Sequence, residues 1–283
     1  MPGQSAELTV DLPVYTIAPS KSWVPLDLGE LWAYRELLYF LVWREVKVRY
    51  KQTVLGVAWA VIQPLFTMVV FSVFFGRFGK MPSDGVPYPI FAFCALLPWQ
   101  LFAFALTETS GSVVANQRLI TKVYFPRLIV PIAAVSVGAV DFLVSCVVLA
   151  ALMAYYHIAP GPAVWTVPIW ALFALITALA VGLWLAALNV RYRDIRYTLP
   201  FVVQLWLFAT PVAYSISIVP PAWRPWYALN PMVGVVEAFR WAILGNTAAP
   251  GMPVAISAVT VACLLTGALF YFKRTERTFA DLV

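Results

Sequence analysis

The sequence predicts an all-α integral membrane protein, and three observations carry that reading. Of the 283 residues, 62% are hydrophobic and only 11% charged; the apolar residues come in long continuous runs; and the basic residues gather in alternate loops. A soluble domain needs far more polar surface than this, so the apolar surplus faces lipid. Continuous runs, rather than alternating segments of about ten residues, select a helical bundle over a barrel.

The first 30 residues carry Pro2, Pro13, Pro19 and Pro25 with acidic Glu7, Asp11 and Asp27, and lack the apolar core of a signal peptide. They read as a mostly disordered cytoplasmic tail. Residues 31–51 follow as an amphipathic interface helix. Tyr34, Leu37, Leu38, Leu41 and Val48 fall on one side of a helical wheel, and Arg44, Lys47 and Lys51 on the other. Glu45 and Arg49 sit at the edges. Basic residues beside Trp32, Tyr39 and Trp43 suit the headgroup layer, where cations meet anionic lipid and indoles prefer the interface.

Six spans are predicted, at about 54–75, 90–109, 129–156, 165–188, 199–214 and 254–272. Each except the fifth reaches or approaches the ~20 residues that cross a bilayer at 1.5 Å per residue. Pro64 is expected to kink the first span, a polar loop runs from Gly76 to Pro89, and Pro98 and Trp99 interrupt the second. The fifth is short and contains Pro211. Between the fifth and sixth, Asn230 reads as an N-cap, Pro231 as the first helical position and Gly245 as the stop of a helix too short to cross. That helix is expected to be re-entrant on the outer side, or part of a hairpin lying in the interface, held by a Glu237–Arg240 pair three residues apart.

An even number of spans puts both termini on one side. Fifteen of the 19 basic residues fall on that side, leaving Arg77, Lys80, Arg224 and Arg240 opposite. The positive-inside rule makes both termini cytoplasmic. The net charge of +6 is then a consequence of topology, and no nucleic-acid partner is required.

No GxxxxGK[ST] occurs, so energy for transport against a gradient must come from another chain. One histidine, no HExxH and no GxSxG leave enzymatic chemistry unsupported, with no catalytic, cofactor or metal residue to nominate. Cys94, Cys146 and Cys263 lie in apolar runs and define neither a disulfide framework nor a zinc site.

The basic helix leading into VLGVAWAVIQPLF, the loop NQRLITKVYFPRL, the exit NVRYRDIRY and the late LNPMVGVVEAFRWAILG, in this order on a six-span frame, resemble the permease subunit of ABC-2 type exporters. The branch they most resemble exports polysaccharide: O-antigen first, with capsule and teichoic acid as alternatives. The resemblance runs from about Leu31 to the C-terminus, making 31–283 one transmembrane domain. It implies a half-transporter of the bacterial inner membrane that pairs with a second copy of itself and with two ATP-binding subunits, which hold ATP and Mg²⁺. The cargo it implies is a lipid-linked glycan.

On that resemblance, Asn116, Gln117, Arg118, Leu119, Lys122, Tyr124 and Arg127 form the loop that couples to the ATPase. Gln117, Arg118 and Lys122 bond to it while Leu119, Ile120, Val123 and Tyr124 pack; a loop that only sets topology is the plainer reading. Trp59, Phe66, Phe71 and Phe74 of the first span and Trp206, Phe208 and Tyr214 of the fifth are channel candidates. Sugar rings present apolar faces on which aromatic rings can slide, although lipid-facing bulk also uses aromatics. Arg44, Arg49 and Arg191 are candidates for a cytoplasmic intake site, because guanidinium forks match phosphate oxygens; topology explains them equally well. Arg193 and Asp194 can pair with each other. Asp141 stands within the third span with no basic partner in any span, which leaves a hydrogen-bonded structural role or a proton relay.

Three rivals to polysaccharide export stay open. An ABC-2 permease for a small lipid or drug would need no aromatic path. A proton-driven secondary transporter would work through Asp141, and a membrane glycosyl or acyl transferase would need an acid or base in a large loop.

Overall fold

The computed structural model describes residues 28–51, 56–245, 249, 251–276 and 279. The predicted tail through residue 27, the start of the first span at Val54 and the last residues of the chain lie outside them. Among the described residues the regular structure is helical, with no strand.

Residues 28–30, predicted as tail, are already helical. Helix α1 is Leu28–Ala33 and α2 is Arg35–Lys51, joined at Tyr34 by backbone bonds from Tyr34 N to Glu30 O and from Leu38 N to Tyr34 O. The first span is α3, Gly56–Phe71, which runs through Pro64 and continues as a π-helical stretch, Ser72–Phe78. The predicted loop therefore begins later than Gly76. The wide turn closes with Gly79 N on Phe74 O at 2.8 Å; π segments of this kind are local adjustments within longer helices.

Helix α4, Tyr88–Ala115, is unbroken across Pro98 and extends six residues beyond the predicted end. Polar Ser110 and Ser112 look like loop residues in sequence, and Thr107 stands near the predicted end of the span. Their hydroxyls instead donate to the carbonyls of Ala103, Thr107 and Thr109 at 2.7–2.8 Å, which satisfies them inside the helix. A short helix α5, Gln117–Lys122, precedes α6, Ile129–Tyr155, which matches its predicted span within a residue. Helix α7 is Val167–Arg191, preceded by one 3₁₀ turn.

Among the described residues, five helical stretches are long and apolar enough to cross a membrane: Ala58–Phe78, Tyr88–Ala115, Ile129–Tyr155, Val164–Arg191 and Gly251–Thr275. The predicted fifth span is instead α8, Ile195–Phe208. Its 14 residues measure about 21 Å at 1.5 Å per residue, short of a ~30 Å hydrocarbon layer. Pro211 lies beyond its end, in an irregular reversal that leads through 3₁₀ turns to α9, Arg224–Tyr227.

Helix α10, Pro231–Leu244, forms as its sequence signals require. The Asn230 side chain accepts from Met232 N, Pro231 opens the helix, and Gly245 closes it at φ +62°, a left-handed conformation that favours glycine. Residues on every face of α10 are buried, and it packs against α4, α7 and α11, Gly251–Thr275. A helix lying free in the interface would expose one face, and α10 is covered on each by the rest of the chain.

Helix α4 is the hub, packed chiefly on α7 and α6 and also on α3, α8 and α10. Its crossing with α7 is close because Gly182 has no side chain: a Cβ there would stand 2.6 Å from Thr109 Cγ2. One buried cluster includes Phe93, Phe102, Phe142 and Phe239. A second, including Leu41, Ile120, Ile129, Leu183 and Phe272, fills the basic end.

Candidate functional site

At the basic end, α2 packs on α6 and, with α4 and the α7–α8 turn, borders a cavity of about 970 Å³. Leu41, Arg44, Glu45, Val48 and Arg49 reach it from one side of α2, as residues three and four apart do. Thr107, Glu108 and Ser112 line it from α4, Ala133 and Val137 from α6, and Arg193, Arg196 and Tyr197 from the turn and the start of α8. Four guanidinium groups face two carboxylates, so the cavity attracts anions.

Arg44 and Arg49, two of the three intake candidates, line the cavity. Arg191 does not line it: its guanidinium lies 5.5 Å from the centre of the Tyr192 ring. Arg193 and Arg196 take its place, and no ion pair joins Arg193 to Asp194 among the described residues. Helix α7 ends at Arg191 and α8 begins at Ile195, so no helical phase carries over between them. Periodicity therefore sets no register for these three arginines.

Arg44 donates to Glu45 Oε1 at 2.5 Å and to Asn116 Oδ1 at 2.7 Å, tying α2 to the end of α4. Five residues on, Arg49 Nη2 donates to Asp141 Oδ2 at 2.5 Å while its guanidinium lies 4.2 Å from the centre of the Phe104 ring. The Tyr50 hydroxyl donates to the other oxygen of Asp141. Burial, followed by the bond to Asp141, pushes the Tyr50 phenol up to about 12. Asp141 therefore has a basic partner, which comes from α2 and not from a span. It stands 12 residues past Ile129, about 18 Å along α6, so the last turn of α2 reaches well into the bundle.

Beyond Arg49 lies a second cavity of about 400 Å³, lined by Trp59, Gln63, Gln100, Phe142 and Ser145 among others. Arg49, Phe104 and Thr107 line both cavities.

Of the predicted coupling residues, Gln117, Arg118, Lys122 and Tyr124 are exposed and Leu119 is half-buried. Asn116 is half-buried on Arg44. Ile120 was expected to face a partner; it is buried within this chain, in the cluster with Leu41 and Phe272, and anchors α5. Arg127 is half-buried with Nη1 enclosed and without a hydrogen-bond partner. Glu276 lies nearby, 3.3 Å from Lys273; burial raises its carboxyl, against the pull of Lys273 and Arg127.

The aromatic candidates divide. Trp59, Phe66, Phe74 and Phe208 are exposed on the isolated chain. Phe71 is only 6% exposed and packs in the core edge-on to Phe75, so it cannot line a channel in this arrangement. Trp206 is half-buried, donates to Asn230 Oδ1 at 2.9 Å and meets Phe102 edge-on at 5.0 Å. The Tyr214 hydroxyl donates to Phe208 O and lies 2.6 Å from that of Tyr227. Side-chain bonds of this kind are invisible to periodicity.

Arg240 was read from sequence as half of an ion pair with Glu237. The pair exists, at 3.4 Å. The closer partners are backbone: Nη1 donates to Pro211 O at 2.6 Å and to Tyr214 O at 3.2 Å, Nη2 to Val212 O at 2.8 Å, and the guanidinium lies 3.7 Å from the centre of the Phe91 ring.

Apolar helices of bilayer length around a cation-lined cavity, with a short polar helix exposed beside its mouth, define a membrane transport protein. Comparison with known proteins gives the family. Residues 36–244 match the ABC-2 type transporter family, and the chain belongs to it. It is 31% identical over 257 residues to the O-antigen export system permease protein RfbA of Myxococcus xanthus, covering 90% of this chain and 98% of that one. An RfbA of Klebsiella pneumoniae is 27% identical, covering 78% of this chain and 84% of the relative. The polysialic acid transport protein KpsM of Escherichia coli is 24% identical, with 82% and 91% covered.

Proposed function

We propose that this chain is the permease subunit of an ATP-driven exporter that moves lipid-linked polysaccharide, O-antigen in the first instance, across the bacterial inner membrane. The observation that carries the reading is end-to-end similarity to permeases named for O-antigen export, covering 90% of this chain and 98% of the Myxococcus relative. A capsule-type chain is the second reading, favoured by the KpsM relative.

In this reading residues 31–283 form one transmembrane domain with both termini cytoplasmic. The chain crosses six times, the fifth by α8 and the reversal after it, while α10 is re-entrant from the outer side and α2 begins in the cytoplasmic headgroup layer. Two copies assemble with two ATP-binding subunits, which bind ATP and Mg²⁺. Gln117, Arg118, Lys122 and Tyr124 meet those subunits, and the Arg44–Asn116 bond passes movement of α5 to α2. The arginines of the larger cavity receive the phosphate-bearing end of the glycan lipid, since guanidinium forks match phosphate oxygens. Trp59, Phe66, Phe74 and Phe208 supply sliding contacts for sugar rings.

The test is purification of the chain with its associated ATPase in mild detergent, with hydrolysis measured with and without lipid-linked glycan. It is paired with surface polysaccharide in a deletion strain. A complex whose hydrolysis responds to glycan, and a deletion strain bare of polysaccharide, are expected. An isolated chain and normal surface polysaccharide would refute the reading.

A further inference from the structure

We infer that the Arg49–Asp141 ion pair is a latch between the two cavities, opened when a phosphate oxygen of the lipid-linked substrate replaces Asp141 on the Arg49 guanidinium. The inference rests on the proposed export of a phosphate-linked glycan and names the contact that admits it.

Position is the first argument. Arg49 lines both cavities and Asp141 lines the deeper one, so the pair stands where they join. The pair also fastens the end of α2 to α6 and, through the Phe104 ring, to α4. Releasing it frees the one wall shared by both cavities that a short helix end, not a span, provides.

Exchangeability is the second. The Arg49 and Asp141 side chains are 38% and 21% exposed, so an anion in the larger cavity can reach the guanidinium. A pair this accessible is weaker than a fully enclosed one. A pyrophosphate offers more charge than one carboxylate, and Arg44, Arg193 and Arg196 around the same cavity can hold its remaining oxygens.

The third argument concerns Asp141 after exchange. A carboxylate stripped of its only donor would be costly at this depth. The Tyr50 hydroxyl bonds the oxygen that Arg49 Nη2 does not, so Asp141 keeps a donor when Arg49 turns away. Once the latch is open, the deeper cavity offers Trp59, Gln63, Gln100 and Ser145: one ring, two amides and a hydroxyl, the chemistry that a sugar requires.

A tie that merely holds α2 in place and a latch respond differently to substitution. The experiment measures binding of polyprenyl pyrophosphate to the full chain in phosphatidylcholine nanodiscs, with polyprenol as the phosphate-free control. Arg49→Gln is expected to weaken binding at least tenfold. Asp141→Asn removes the competitor and is expected to tighten it at least fivefold. Tyr50→Phe leaves Asp141 dependent on Arg49 and is expected to weaken binding severalfold, although Tyr50 touches no phosphate. The double variant Tyr50→Phe/Asp141→Asn is expected to match Asp141→Asn alone.

Equal or weaker binding by a monodisperse Asp141→Asn protein would overturn the latch. Should that variant fail to fold, unchanged or tighter binding by Tyr50→Phe would overturn it as well. Full competition by phosphatidylglycerol would overturn the assignment to substrate phosphate. Failure of the exporter reading shows separately, as normal surface polysaccharide in the deletion strain.

Discussion

Arg240→Met tests what holds the chain reversal after α8 against α10. The guanidinium donates to the carbonyls of Pro211, Val212 and Tyr214. These follow the end of α8, where no helical partner is available, in a stretch whose Thr210, Val212 and Ala213 are almost fully buried. An orphaned buried carbonyl costs about 1–3 kcal/mol, and more where no water can substitute. Three of them would sum to roughly 3–9 kcal/mol before relaxation, and Glu237 left beside them uncompensated adds to that. The desolvation of the guanidinium, which methionine avoids, offsets part of that, and breaking one side of a buried pair costs about 3–5 kcal/mol in general. We expect a net loss of about 4 kcal/mol, read as a fall on the order of 10 °C in the thermal midpoint by size-exclusion fluorescence of detergent-solubilised protein. Adding Glu237→Gln removes the leftover charge and should restore about 1–2 kcal/mol. A midpoint for Arg240→Met within 2 °C of wild type would refute the reasoning.

Four other outcomes follow from the structure. Asn230→Ala removes the cap on Met232 N and the bonds to Trp206, Ala209 and Thr210; about 2–3 kcal/mol should be lost, and a change under 0.5 kcal/mol in the same assay would contradict that. Gly182→Val places its Cβ 2.6 Å from Thr109 Cγ2 and should cost about 2–4 kcal/mol by forcing α4 from α7, partly recovered by Thr109→Ala. The Tyr50 phenol is raised from its ordinary 10 to about 12, so the stability it lends is complete below pH 10 and lost only as pH rises through about 12. The midpoint difference between wild type and Tyr50→Phe should therefore stay constant from pH 6 to 9, and a drift across that window would show Tyr50 ionising. Arg118 is exposed on α5, and Arg118→Asp should leave the protein inserted while abolishing most export but not ATP hydrolysis; full export would remove Arg118 from the coupling contact.

The candidate site was legible in part. Arg44 and Arg49 could be nominated together because both belong to one regular helix, although the wheel put Arg44 on its polar side and Arg49 at the edge, and only the structure shows the cavity drawing on both. Arg193 and Arg196 could not, because the chain between α7 and α8 has no fixed period. Asp141 looked unpartnered because the search for a base was confined to spans, while its partner belongs to the helix before them. Phe71 and Phe74 sit three apart with the same chemistry in sequence, yet one is in the core and the other exposed. Helix phase relative to neighbours decides that, and neighbours are not written locally.

The sequence by itself determined the membrane class, the helical architecture, the long crossings and the limits of α10, because each rests on short-range causes. Run length sets crossing capacity, Asn230 and Pro231 start a helix, and Gly245 stops one. Only the tertiary structure decided that α10 is buried on all sides and that Arg240 serves carbonyls of the chain reversal more than it serves Glu237. It alone set Arg49 against Asp141, 92 residues away. Pairings across that distance depend on how whole helices settle against one another, and shape and burial, summed over many residues, fix that settlement.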